Sequence, residues 1–318
     1  MSEHVTRLAP SPTGALHLGN ARTFLINALL ARQEGWRVLM RVEDLDGPRV
    51  KAGAADEALE DLAWLGLTWE RPAVYQSARA AAYADALRRL IEAGAAYPCT
   101  CTRRDIERAG SAPHREDAAG AYPGTCRGRF ASADEAAAAT GRPAAWRVRV
   151  GDEPIVVRDR FAAPATFNLA RTCGDFVVFK NDGLAAYQLA VVIDDADAGV
   201  DAIVRGDDLL ESAARQMHLR RLLGIAPEPA YWHLPLLVGP DGRRLAKRHG
   251  DTRLARYRAA GAPPQRVLGL LGFWSGLLGE RGEATFGELA EHFDLKRLPK
   301  TPVVFSDDDE RFLLPRRR

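Results

Sequence analysis

The chain has 318 residues, 47% of them hydrophobic and 27% charged, with a formal net charge of +2. This excludes collagen-like, disordered and disulfide-scaffold classes and allows about two domains, or one α/β domain with an insertion. Near-neutral charge without a basic tail confines any nucleic-acid contact to a local patch.

Residues 4–9 read as a short strand, ended by Pro10-Ser11-Pro12-Thr13-Gly14. From 17 to 35 the apolar residues Leu18, Phe24, Leu25, Ala28 and Leu29 keep a helical period. Residues 36–43 read as a second, buried strand. Strand, glycine-containing loop, helix, strand is a βαβ unit and predicts a Rossmann-like doubly wound parallel sheet. Helices are expected over 52–65 and 78–93. Residues 99–145 break the rhythm with three cysteines, prolines and glycines and read as an insertion, with 146–150 and 154–157 as strands of a hairpin within or beside it. Residues 176–180, 190–193 and 202–204 read as strands returning to the sheet, 209–222 as a helix and 234–238 as a strand. A basic loop follows at 240–250. Helical patterns at 253–260, 264–271 and 286–293 precede a short tail with an acidic run at 307–310. The expected organisation is a catalytic domain in two halves, 1–98 and 176–250, an insertion with a zinc site at 99–175, and a small helical C-terminal region at 251–318. The N-terminus has no secretory pattern, and the longest uncharged apolar stretch, 268–279, is far below the roughly 20 residues a membrane span needs. A cytoplasmic protein without membrane contact is expected.

Three stretches can carry chemistry. In the first, 9–20, His17 and Asn20 stand three apart where the first helix begins. A helix N-terminus suits a phosphate, and Gly14 and Gly19 allow close approach. The plain alternative is that His17 and Asn20 only cap the helix. The second is Arg243-Arg244-Leu245-Ala246-Lys247-Arg248-His249-Gly250, after a strand, where a cation can meet a triphosphate. A solvated basic loop is the alternative, but only five of the 44 basic residues are lysines, so Lys247 is unlike filler. The third is Cys99-Thr-Cys101 with Cys126. Three thiolates in a Pro/Gly-rich insertion fit a structural zinc, whose fourth ligand is Tyr122, His114 or Cys173. Three reduced cysteines without metal are the alternative.

His17-Leu-Gly-Asn20 and Arg244-Leu-Ala-Lys247-Arg248 resemble the HIGH and KMSKS signatures of class I aminoacyl-tRNA synthetases. Residues 7–11, 41–46, 187–195 and 204–210 narrow the resemblance to the glutamyl branch, over about residues 5–250 in order. Sixty-eight residues follow Gly250, too few for a long anticodon-reading region, so the chain resembles the short paralogues that attach glutamate to the queuosine base of tRNA(Asp). A truncated synthetase charging a tRNA 3′ end is the alternative; small HIGH-motif nucleotidyltransferases and non-catalytic tRNA-binding paralogues explain fewer of the residues.

The resemblance implies ATP, with Mg²⁺, held at His17, Gly19, Asn20 and Lys247, of which His17, Asn20 and Lys247 are catalytic. It implies glutamate held by Arg7, Ala9, Ser11, Glu43, Tyr187 and Arg205. Bidentate arginines suit its carboxylates, and Glu43 takes its ammonium. It favours one zinc on Cys99, Cys101, Tyr122 and Cys126. Arg205 could instead pair with Asp207 or Asp208, and Tyr187 could be a core aromatic. Asp194 and Asp195 could line the site or serve a turn or cap. Arg replaces the first lysine of the KMSKS pattern and Ala246 its serine. Arg243, Arg244, Arg248, Arg253, Arg256 and Arg258 are candidate phosphate contacts, with a solvated helix face as the alternative for the last three.

Overall fold

A computed structural model describes residues 4–45, 50–110, 121–243, 245 and 251–314, without the side chains of 108–110. β1 (Val5–Leu8) leads through the proline loop into α1 (Leu18–Glu34), and β2 (Arg37–Val42) pairs parallel to β1. Gly35 ends α1 in the left-handed region, where glycine carries no Cβ penalty, and Trp36 N–H bonds back to Ala31 O (2.8 Å). After α2 (Ala54–Trp64), β3 (Glu70–Tyr75) joins β2 in parallel. That strand, ERPAVY, is largely exposed and carries a proline, which hid it from the sequence reading. β9 (Ala202–Gly206) and β10 (Ala230–Leu234) form a second parallel pair, and Asp201 N–H donates to Val5 O (3.1 Å) beside β1. The chain therefore runs outward from β1 through β2 to β3, and from β9 outward to β10. The crevice between β1 and β9 is a topological switch point, where α/β sheets place ligands.

Between these halves, α3 (Ala80–Glu92) leads to an antiparallel sheet of β4 (Ala96–Cys99), β5 (Ala145–Val148) and β8 (Phe176–Phe179). The helices α4 (Arg103–Gly110) and α5 (Ala133–Thr140) hang from it, and β6 (Ile155–Val157) pairs with β7 (Ala165–Phe167) before α6 (Leu169–Thr172). The segments expected as a hairpin thus do not pair with each other, and β8 closes the antiparallel sheet instead of joining the parallel one.

Residues 190–193 are not a strand. They lie within α7 (Tyr187–Asp197). A short apolar run buried on all sides has no period to read, and packing decides. The expected strand at 234–238 is broken: Pro235, which has no N–H to donate, separates β10 from β11 (Leu237–Val238). Its carbonyl accepts instead from buried Arg22 Nη1 (2.8 Å).

α8 (Leu210–Leu223) packs against α7 and β6, and α9 (Leu254–Ala259), α10 (Pro264–Trp274) and α11 (Phe286–Glu291) follow. β12 (Val303–Val304) pairs parallel to β11, and the acidic run begins α12 (Asp307–Leu313) under a Ser306–Asp309 capping box. One hydrophobic core joins Leu25, Leu29 and Met40 of the first half to Leu268, Leu271, Trp274 and Leu313. A second joins Val5, Tyr83 and Val148 to Leu189, Ile203 and Met217. Among the described residues no helix is long and apolar enough to cross a membrane.

Candidate active site

At the C-terminal ends of β1 and β9 lies a cavity of about 590 Å³, lined by Arg7, Ala9, Ser11, Gly14, His17, Gly19, Asn20, Glu43, Tyr187 and Arg205, among others. Every predicted glutamate or ATP residue among the described ones is on its wall. Lys247, with Arg244, Ala246 and Arg248, lies outside the described residues, as does His114.

One end of the cavity is strongly charged. Arg7, from β1, donates through Nε to Asp195 Oδ1 (3.3 Å). Arg41, from β2, bonds Asp195 through Nη1 and Glu43 Oε1 through Nη2 (3.0 Å), with Asp194 Oδ2 at 3.8 Å. Burial works against the charge of Arg41, but Asp195, Glu43 and Asp194 more than offset it and raise its pKa above the ordinary value. Arg7 moves the other way, lowered by burial against the opposing pull of Asp195. Burial pushes the Glu43 carboxyl up, and Arg41 and Arg7 only partly counter it. Glu43 is therefore a carboxylate whose ionised form gains from an added cation, which fits an ammonium.

Asp194 and Asp195 neither line the cavity nor cap a turn. They sit buried on α7. Asp194 accepts from Gln76 Nε2 (2.7 Å), Arg79 Nε (2.6 Å) and Tyr83 OH (2.9 Å). Sequence reading missed this cluster because its partners, Gln76, Arg79 and Tyr83, are about 110 residues away.

Arg205 pairs with neither Asp207 nor Asp208. Its Nε donates to His233 Nε2 (3.0 Å), Nη1 to Gln216 Oε1 (2.9 Å) and Nη2 to Leu209 O (3.3 Å). Next to it a Cβ on Gly206 would meet Asp208 Oδ1 at 2.7 Å and Leu236 Cδ2 at 2.9 Å, so a larger residue there would have to push these two side-chain ends aside. Tyr187 lines the cavity together with Glu43 and Arg205, and burial raises its pKa, so the phenol stays a neutral donor.

The other end is the helix start. His17 occupies the N-cap position of α1 but makes no side-chain cap; its Nδ1 lies 3.1 Å from Thr252 Oγ1. Leu18 N–H bonds Thr252 O (3.0 Å), and Leu254 N–H bonds Leu16 O (2.8 Å). The segment that follows the basic loop is thus strapped to the first motif. Leu237 and Leu245, on the other flank of that loop, line the same cavity. Gly14 and Gly19 are not crowded by the protein itself, which leaves room for a ligand.

Residues 3–309 match one family, tRNA synthetases class I (E and Q), catalytic domain. The chain belongs to this family. It is accordingly an enzyme, an aminoacyl-tRNA synthetase. Among relatives, a Glutamyl-Q tRNA(Asp) synthetase of Rhodopirellula baltica is 44% identical over 96% of this chain and 98% of its own length. One of Symbiobacterium thermophilum is 48% identical over 93% of this chain and 94% of its own. Among solved structures, a glutamate tRNA ligase of Elizabethkingia meningosepticum in complex with its amino acid superposes with TM-score 0.80 at 25% identity, over 98% of this chain and 69% of that one.

Away from the synthetase cavity, the thiols of Cys99, Cys101 and Cys126 lie within 4.8 Å of one another. The Tyr122 hydroxyl stands 3.2 Å from Cys99 Sγ and 3.7 Å from Cys101 Sγ, and accepts from Cys126 N–H (2.9 Å). Gly174, at φ +64°, makes room for Tyr122: a Cβ there would meet the Tyr122 carbonyl at 2.3 Å. Tyr122 N–H also bonds Cys173 O (2.9 Å), while the Cys173 thiol contacts Leu169 O (3.5 Å) outside the cluster. Three thiols and a phenol oxygen at these separations suit a tetrahedral cation of zinc's preference. Arg147 donates to Cys99 Sγ (3.3 Å) and lies 3.9 Å over the Tyr122 ring, offsetting the negative charge such a set carries.

The arginines expected to meet phosphates after the basic loop are already engaged. Arg253 pairs with Asp251, Arg256 with Glu310 (2.5 Å) and Arg258 with Asp61 (3.4 Å). The acidic run is no loose tail: folded as α12, it supplies Glu310.

Proposed function

We propose that the enzyme activates glutamate with ATP and transfers it to the queuosine base in the anticodon loop of tRNA(Asp), acting in the cytoplasm. The carrying observation is the near-full-length identity to Glutamyl-Q tRNA(Asp) synthetases, 44–48% over 93–96% of this chain. The cavity supports the amino acid: Arg7 and Arg205 face the carboxylates, Glu43 the ammonium, and Tyr187, Ala9 and Ser11 complete the wall.

ATP, with Mg²⁺, fits the other end, its phosphates against the start of α1 at His17, Gly19 and Asn20, with Lys247 as the further cation. The substrate α-carboxylate attacks the α-phosphorus, pyrophosphate leaves, and the glutamyl-adenylate forms without a covalent enzyme intermediate. A hydroxyl of the modified base then attacks the acyl carbon, giving an ester and AMP. The enzyme's part is positioning and charge stabilisation. One zinc on Cys99, Cys101, Tyr122 and Cys126 serves the fold of the insertion and no chemical step. On the same reading the domains divide as expected from the sequence, at about 98, 175 and 250.

The test is labelling with radioactive glutamate of tRNA(Asp) with or without queuosine, intact or lacking the 3′ adenosine. Labelling that requires queuosine and survives 3′ truncation is expected. Labelling that needs the 3′ adenosine, or that occurs on unmodified tRNA(Glu), overturns it in favour of ordinary 3′-end charging. Truncation serves better than periodate, which also cleaves the cis-diol of queuosine.

A further inference from the structure

We infer that His233 and Asp159 are positioning residues that hold the guanidinium of Arg205 in its glutamate-binding orientation; this rests on the reading of Arg205 as a substrate-binding residue. Arg205 and His233 are direct neighbours across the β9–β10 pair. Arginine can only donate, so the Nε2 of His233 that meets Arg205 Nε at 3.0 Å must be the lone-pair nitrogen. The ring proton is thereby assigned to Nδ1, which donates to Asp159 Oδ2 (2.6 Å). Both side chains are fully buried. The other Asp159 oxygen accepts three backbone N–H groups, of Phe161 (2.8 Å), Ala162 (2.7 Å) and His233 (3.2 Å). Burial lowers the His233 pKa against the pull of Asp159, keeping the ring neutral.

The contrast with Arg41 shows what the arrangement is for. Arg41 bonds to carboxylates through both terminal nitrogens, and its charge is matched before any substrate arrives. Among the described residues the hydrogen bonds of Arg205 go to neutral acceptors, an imidazole, the Gln216 amide and the Leu209 carbonyl, and Asp195 acts on it only through space. Three of its five N–H groups are fixed in this way, and two remain for the cavity it lines. The imidazole keeps the Asp159 carboxylate one ring away, so the guanidinium is oriented without being neutralised. Tyr231 stacks on His233 (centroids 5.8 Å, 17°) and lies 5.4 Å from the Arg205 guanidinium carbon, closing the side away from solvent.

The experiment measures glutamate-dependent ATP–pyrophosphate exchange with the purified full chain. Asp159→Asn keeps an oxygen for the three backbone N–H groups but turns an amide N–H toward Nδ1. The ring then carries its proton on Nε2, donor against donor with Arg205. The KM for glutamate should rise about ten- to a hundredfold, the usual range for a lost hydrogen bond to a charged group, while kcat and the KM for ATP change less than about threefold. His233→Asn, too short to reach Arg205, should do the same. His233→Gln, with an amide oxygen near the Nε2 position, should restore glutamate KM to within about threefold of wild type. Arg205→Ala should raise glutamate KM at least as far, with no further rise on adding Asp159→Asn. If Arg205→Ala leaves glutamate KM unchanged, the substrate-binding reading fails and this inference with it. If Arg205→Ala raises it and Asp159→Asn and His233→Asn do not, the positioning role alone is refuted. A fall in kcat with both KM values rising together, unrescued by His233→Gln, also overturns it in favour of a purely structural role.

Discussion

Arg41 and Asp195 stand 154 residues apart in the chain and form an ion pair beside the candidate cavity, with side chains 5% and 2% exposed. The same Asp195 oxygen also accepts from Arg7, so one carboxylate fixes two arginines of which only Arg7 lines the cavity. Burial alone would raise the Asp195 pKa, but Arg41 and Arg7 hold it below the ordinary carboxylate value. A depressed folded-state pKa contributes stability that is fully present above the unfolded value, near pH 4, and is lost as pH falls through the lower folded value. Asp195→Asn preserves shape and removes the charge. It should cost about 3–5 kcal/mol at neutral pH, the range for breaking a buried pair, read from urea unfolding. A midpoint unchanged from wild type would show that the cavity's arginines need no such counter-charge.

The opposite sign is expected at Asp61 on α2. Neither of its oxygens has a hydrogen-bond partner, and Arg258 Nη1 is 3.4 Å away. Burial outweighs Arg258 and raises the carboxyl to about 6. A raised folded pKa gives stability that is full below the unfolded value and is lost as pH rises through 6. Between pH 4 and pH 7 the wild type should lose stability relative to Asp61→Asn, by no more than about 3 kcal/mol for a shift of this size. Unfolding midpoints of both proteins across that range check it, and parallel curves would show that Arg258 fully compensates the charge.

The parallel βαβ start was legible because α1 has a clear period and ends in glycine, and because short strands flank it. The cavity residues were legible because they sit in contiguous motifs at strand ends, where an α/β sheet puts its ligands. Residues 190–193 were not, since an apolar run buried on all sides fits strand and helix alike. Nor was the acidic run as a helix: Ser306 and Asp309 signal a capping box only once the segment is known to pack. The supports of the site, Asp159 with His233 and Asp194 with Arg79, join residues far apart in sequence, and no local pattern announces such pairs.

The exchange reaction is expected to run on glutamate and ATP with no tRNA present, because the residues read as glutamate- and ATP-binding already share one cavity wall in the chain by itself. Thr252 and Leu254 are bonded to the first motif, and Leu237 and Leu245 line the cavity, so both flanks of the basic loop abut the ATP end. Lys247→Ala should then slow exchange by about 10²–10³, the typical loss for one transition-state donor. Strict dependence on added tRNA would contradict the first expectation, and a rate within threefold of wild type the second.

The cysteine cluster stands apart from the cavity. None of Cys99, Cys101, Tyr122 or Cys126 lines the synthetase cavity, and all four tie β4 to the segment that Gly174 holds in place. Metal analysis should therefore give one zinc per chain. Cys101→Ser should release it, because a structural site has no open position to spare. Tyr122→Phe removes one of the four ligands and leaves three thiolates, so zinc should bind more weakly than in the wild type and leave to a chelator at a lower concentration. His114→Ala should change nothing. Exchange with glutamate should survive zinc removal at moderate temperature, while protease cleavage within 99–145 should quicken. Zinc retained by Tyr122→Phe against the same chelator, with release by His114→Ala, would move the fourth ligand to the histidine. Exchange lost in step with the metal would mean that the insertion holds the cavity's shape.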